Sequence, residues 1–146
     1  MATDGRVLVV DDEPAIRALV AKIVERAGLP VDCAADGAEA IQKVDANEFA
    51  VVVLDLNMPN IDGFGFIDHI RNRAVRPAII AISAADSALL RRLDGSMVHS
   101  IVRKPFDIDV LGDLITAAAQ TALDEERKQA RDGNVLPFSR DAQNVC

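Results

Sequence analysis

Five short apolar runs divide this sequence, and the stretches between them decide what it can fold into. The runs are Arg6–Val10 (RVLVV), Val31–Ala34 (VDCA), Ala50–Leu54 (AVVVL), Ala78–Ile82 (AIIAI) and Val98–Val102 (VHSIV). Three of them are almost continuously hydrophobic and rich in Val and Ile. Strands buried on both faces of a parallel sheet read this way, whereas half-exposed strands alternate. The intervening stretches have helical period. From Pro14, apolar residues at Ile16, Leu19, Val20, Ile23, Val24 and Ala27 form one stripe. Pro14 suits a first helical turn and Gly28 the residue just past the end. Asp36 can cap a second helix carrying Ala40, Ile41 and Val44. A third holds Phe66, Ile67 and Ile70. A shorter fourth, after Asp86, holds Leu89, Leu90 and Leu93. Asp107 can cap a fifth, with Val110, Leu111, Leu114, Ile115, Ala118 and Ala122 facing inward. Five successive β-α units imply an α/β fold: a parallel sheet with helices on both faces, because right-handed crossovers place them there.

Length allows one ordinary domain among 146 residues, here expected over 1–123. Residues 124–131 (DEERKQAR) can extend the last helix as a solvated segment. The rest of 124–146 has turn formers and no period, and reads as a disordered end. Its Val135, Leu136 and Phe138 are also the apolar cluster a short docking segment would need. Half of the chain is hydrophobic and the net charge is −7. That balance argues against nucleic acid or an anionic membrane as a direct partner, since both attract basic surfaces. No apolar run approaches the length of a membrane span, and MATDGR has no signal-peptide core. Cys33 and Cys146 match no metal or redox spacing; Cys33 reads as a small core residue, and a reducing cytoplasm is the expected compartment.

The strand ends carry the chemistry. The first strand runs into Asp11, Asp12 and Glu13, the third ends at Asp55, the fourth at Ser83, and the fifth runs into Lys104 and Pro105. In a parallel sheet these ends share one edge, where open α/β sheets bind ligands. Carboxylates, a hydroxyl and an ammonium should therefore converge in one crevice. Carboxylates crowded together repel, and burial alone would raise at least one pKa. A hard divalent cation removes the conflict: Mg²⁺ accepts two carboxylates and a backbone carbonyl while keeping several waters. With Lys104 and Ser83 as donors opposite, the set suits phosphoryl transfer onto Asp55.

Taken together, VLVVDDE, VVLDLNMPNIDG, IAISA and VRKPF resemble the receiver domain of two-component response regulators over roughly residues 5–123. Each segment is weak evidence alone; the set, in the family's order and spacing, is specific. The resemblance implies a flavodoxin-like (βα)5 fold with strand order 2-1-3-4-5. It implies that Asp55 accepts a phosphoryl group from a histidine kinase or a histidine phosphotransfer protein. Asp12 would ligate Mg²⁺ directly, Asp11 through water, and Asn57 through its backbone carbonyl. Lys104 would pair with the acceptor and then with the phosphoryl group, Ser83 would hydrogen-bond the phosphate, and the Lys104–Pro105 bond would be cis. Homodimers through the fourth and fifth helices and the edge strand are common in such proteins. Asn57 and Ala85 stand where the family tunes phosphoryl lifetime.

Two features depart from the pattern. Many receivers place Tyr or Phe three residues before the lysine; here the residue is Ile101, and the chain has no Tyr or Trp. The usual hydroxyl-to-aromatic toggle is therefore not expected. Nothing after residue 123 resembles an output domain, so a single-domain regulator is the expectation. Simpler readings stand beside the sharp ones. Asp11 and Asp12 could merely cap the first helix, Met58–Pro59 and Asp62–Gly63 are turn chemistry, and His69 and His99 read as surface or structural. Two other functions share parts of the pattern. A phosphorylation-independent scaffold would keep the fold without the transfer. A Mg²⁺-dependent phosphatase of the haloacid-dehalogenase type needs a second Asp two residues past its nucleophile, where this chain has Asn57, which cannot act as that acid.

Overall fold

A computed structural model describes residues 4–57, 63–73, 75–84, 91 and 93–133. In chain order the elements are β1 (Val7–Val10), α1 (Pro14–Arg26), β2 (Val31–Ala34), α2 (Gly37–Ala46), β3 (Val51–Asp55), α3 (Gly63–Ile70), β4 (Ala78–Ser83), β5 (Ser100–Arg103) and α4 (Ile108–Gly133). The five strands are all parallel, in the order β2-β1-β3-β4-β5. This is the 2-1-3-4-5 order of flavodoxin-like sheets, with its reversal beside β1 and β3. The helix expected after Asp86, with Leu89 and Leu90, lies outside the described residues; Leu93, its last apolar position, packs on the core. Met58, Pro59, Asp62, Ala85 and 134–146 also lie outside them.

The sheet is hydrophobic on both faces because both are covered. Along β1, Val7 and Val9 join the core under α1 and α4, while Leu8 and Val10 join the core under α2 and α3. Phe66, Ile67 and Ile70 fill the second core; Leu111, Ile115, Ala118 and Cys33 belong to the first. Local chemistry bounds the helices as the spacing predicts. Pro14 opens α1. Gly28, at φ +80°, takes the left-handed turn that ends it, and the amides of Gly28 and Leu29 close back on Glu25 and Val24. The Asp36 carboxylate accepts from the Glu39 amide, 2.8 Å, and Asp107 accepts from Asp109 and Val110.

Three expectations need correction. The fifth strand is Ser100–Arg103, two residues later than the run of hydrophobicity suggests. Ser100 is where pairing with Ile80 begins, while Val98 only packs on the core from outside the ladder. Leu19 and Val110 are 37% and 53% exposed although the stripe turns them inward, and Ala27 is exposed too. A helix on a flat sheet buries a narrower arc than its apolar stripe can supply. Finally, α4 runs as a helix to Gly133, ten residues past the expected end of the domain at 123. Among the described residues, no helix is long and apolar enough to cross a membrane.

Candidate functional site

The acidic residues meet because β1 and β3 are parallel neighbours in register, with Val10 opposite Leu54. The residue after each therefore leaves the sheet at the same edge. Asp11 stays tied to that edge, since its amide donates to Ala34 of β2 at 3.1 Å. The carboxylates of Asp11, Asp12 and Asp55 lie within 4.8 Å of one another. Asp11 and Asp55 are each 2% exposed, whereas Asp12 faces solvent.

The fifth strand brings the cation. Lys104 follows β5, and its amide donates to the carbonyl of Ser83 on β4 at 2.8 Å. Its ammonium then sits 3.5 Å from Asp55 Oδ2 and 4.0 Å from Asp11 Oδ2. The bond from Lys104 to Pro105 is cis, as the resemblance implies. Asn57 is exposed, and its amide donates to Asp55 Oδ1 at 3.0 Å. Ser83 is fully buried at the same edge, but its hydroxyl donates to the Ala84 carbonyl at 2.9 Å and is turned toward the chain that follows. Ile101 is 46% exposed on the outer strand.

One ammonium does not balance three carboxylates. Burial pushes the Asp55 carboxyl up from 3.8 to about 6; the Asn57 amide and Lys104 pull it down, and Asp11 and Asp12 push it further up. Burial also raises Asp11, against the pull of the Glu13 amide and Lys104. An oxygen-only donor set with surplus negative charge suits a hard divalent cation, and the described residues fit Mg²⁺ on that ground.

Two residues matter here that periodicity and motif spacing do not single out. Gly63 opens α3 directly against the end of β3. A Cβ there would stand 3.0 Å from the Asp55 carbonyl oxygen and from Leu56 Cα. In the sequence it reads only as part of a turn. Arg17 reaches back from α1 to give a guanidinium N–H to the Asp11 carbonyl at 2.8 Å. Beside the acidic edge lies an apolar cleft of about 490 Å³. Ile16, Leu19, Ala84, Pro105, Phe106 and Ile108 line it, and Lys104 forms its polar wall.

Comparison with known proteins points the same way. The family model described as response regulator receiver domain matches residues 7–116. The transcriptional regulatory protein TcrA of Mycobacterium tuberculosis is 37% identical over 108 residues, 73% of this chain and 42% of TcrA. The sensor histidine kinase RcsC of Escherichia coli is 32% identical over 118 residues, 80% of this chain and 12% of RcsC. The chain thus spans less than half the length of either relative. The crystal structure of a response regulator signal receiver domain from Bermanella marisrubri superimposes with a TM-score of 0.72 at 34% identity, covering 79% of this chain and 98% of that one.

Proposed function

The chain belongs to the response regulator receiver family, and from that premise we propose that it accepts a phosphoryl group on Asp55 from a histidine kinase or a histidine phosphotransfer protein. The observation that carries the proposal is the setting of Asp55: a buried carboxylate at a strand end, with an ammonium at 3.5 Å and two further carboxylates within 4.8 Å. An Asp55 oxygen attacks phosphorus, an O–P bond forms, and the N–P bond of the donor phosphohistidine breaks, leaving its imidazole to take a proton. Asp12 and Asp55, with the Asn57 carbonyl, would hold Mg²⁺ directly and Asp11 would do so through water. The bound ion supplies charge neutralisation for the phosphoryl oxygens. Lys104 exchanges its carboxylate partner for a phosphoryl oxygen. Ser83 must rotate its hydroxyl off the Ala84 carbonyl to reach the phosphate, so its present bond marks the resting arrangement.

The apolar cleft gives the donor a seat. It shares Lys104 with the acidic edge, so a protein docked on Leu19 and Phe106 presents its phosphohistidine directly to Asp55. A cytoplasmic location follows from the kinase partner. The chain acts on its own phosphoryl group and has no separate substrate. Phosphate on Asp55 adds nearly two negative charges, enough to bias two conformations separated by a few kcal/mol. With Ile101 in place of an aromatic, the change reaches the surface through backbone shifts after β4.

Labelling by an acyl phosphate in Mg²⁺ tests the site. Wild type should take up one phosphoryl group and Asp55→Ala none. Equal labelling of the two would refute the assignment.

A further inference from the structure

We infer that Arg17 is a positioning residue: its guanidinium holds the β1–α1 turn in the shape that lets the acidic residues bind a divalent cation. The inference rests on the metal reading above. All three polar groups of Asp11 are engaged, each by a different part of the chain. Its amide donates to Ala34 of β2, its Oδ1 accepts from the Glu13 amide at 2.9 Å, and its carbonyl accepts from Arg17 Nη1 at 2.8 Å. The turn needs such an anchor. Glu13, at the N-cap of α1, makes no side-chain capping bond, and the first turn of α1 has no acidic residue. Apart from the Asp11 carboxylate, a side chain six residues on is what ties this turn down.

The tied atom matters because of what it is bonded to. The Asp11 carbonyl belongs to the peptide that leads into Asp12. Rotation of that peptide swings the Asp12 carboxylate away from Asp55. A planar guanidinium on the carbonyl resists that rotation in a way a lone water does not. Its role is not neutralisation of the carboxylates. Among the described residues, the ion pairs of Asp11 and Asp55 are with Lys104, and Arg17 forms none with the trio. A fixed positive charge near a cation site opposes the cation. Charge and positioning therefore predict opposite effects when Arg17 is removed.

That opposition makes the test decisive. Mg²⁺ dissociation constants are measured by calorimetric titration of wild type, Arg17→Met and Arg17→Lys, with thermal unfolding in EDTA alongside. Groups that orient metal ligands are typically worth about 10–100-fold in affinity. Arg17→Met, which keeps much of the aliphatic stem, should bind Mg²⁺ at least about tenfold more weakly, with its metal-free unfolding temperature little changed. Arg17→Lys restores a donor and should bind more tightly than Arg17→Met, although it also restores the opposing charge. Equal or tighter binding by Arg17→Met overturns the inference, and so does weaker binding by Arg17→Lys than by Arg17→Met. Should Arg17→Met fail to fold, Arg17→Lys against wild type carries the test: a modest loss of affinity supports positioning and an unchanged constant overturns it. If wild type itself binds no Mg²⁺, the metal reading falls as well; if wild type binds and Arg17→Met binds equally, only the role of Arg17 falls.

Discussion

Asp55 is held buried and must also be ionised to act as a nucleophile, and this conflict gives a measurable pH dependence. Without metal its carboxyl titrates near 6 in the folded chain, against 3.8 for the ordinary group. Below about pH 4 both states hold the proton and the site costs nothing. Between about pH 4 and 6 the unfolded chain releases its proton first, so stability falls as pH rises, and the full penalty persists above. At about 1.4 kcal/mol per pH unit the penalty approaches 3 kcal/mol, and losing the Lys104 partner trims what a neutral side chain can recover. Asp55→Asn in EDTA should therefore be more stable than wild type by about 2 kcal/mol at pH 7.5, and no more stable at pH 4. Urea midpoints at the two pH values measure it; an equal difference at both would show that burial does not raise this carboxyl. Added Mg²⁺ at pH 7.5 should stabilise wild type and not Asp55→Asn. At this scale the sequence was informative about identity: Asp11, Asp12, Asp55 and Lys104 stand out by type and position at strand ends. The orientation of the Ser83 hydroxyl and the reach of Arg17 were invisible, because each depends on a carbonyl whose direction the backbone path sets.

The junction of β3 and α3 places a steric demand on an element. Gly63 lets the start of α3 lie against the end of β3 with no side chain between them. Within a helix, replacing Gly by Ala is ordinarily favourable by roughly 0.5–1 kcal/mol. Here the new methyl would meet backbone at 3.0 Å on two sides, and backbone cannot swing aside as a flexible side chain can. Overpacking of this kind costs about 1–3 kcal/mol. Gly63→Ala should therefore destabilise by about 1–2 kcal/mol and shift the Asp55 and Asn57 amide resonances. Neutral or improved stability would mean that propensity outweighs the contact. Element type and the Asp36 and Asp107 caps were legible because they depend on neighbours in sequence. Strand limits were less so: β5 begins where Ile80 offers a partner, and that partner lies twenty residues away.

Across the whole molecule, α4 outruns the body it packs on. Leu123 still reaches the first strand's approach, close to Gly5. Beyond it, Asp124, Glu125, Arg127 and Lys128 are exposed. Exposed ion pairs such as Arg127–Asp124 contribute little to stability. The folded unit should therefore end near residue 123. A chain ending at Asp124 should keep its urea midpoint within about 0.5 kcal/mol of full length and bind Mg²⁺ equally well. A loss above about 2 kcal/mol would assign the extension to the domain. The sequence by itself determined the layered α/β fold, because continuous Val and Ile runs can be buried only between two helical layers. It also determined which residue types stand at the strand ends. Only the tertiary structure decided which of those ends touch. Asp11 and Asp55 meet through the pairing of β1 with β3, and Lys104 joins them across β4. Periodicity reports which way a residue faces; proximity between residues forty or ninety positions apart comes from the order in which strands pair.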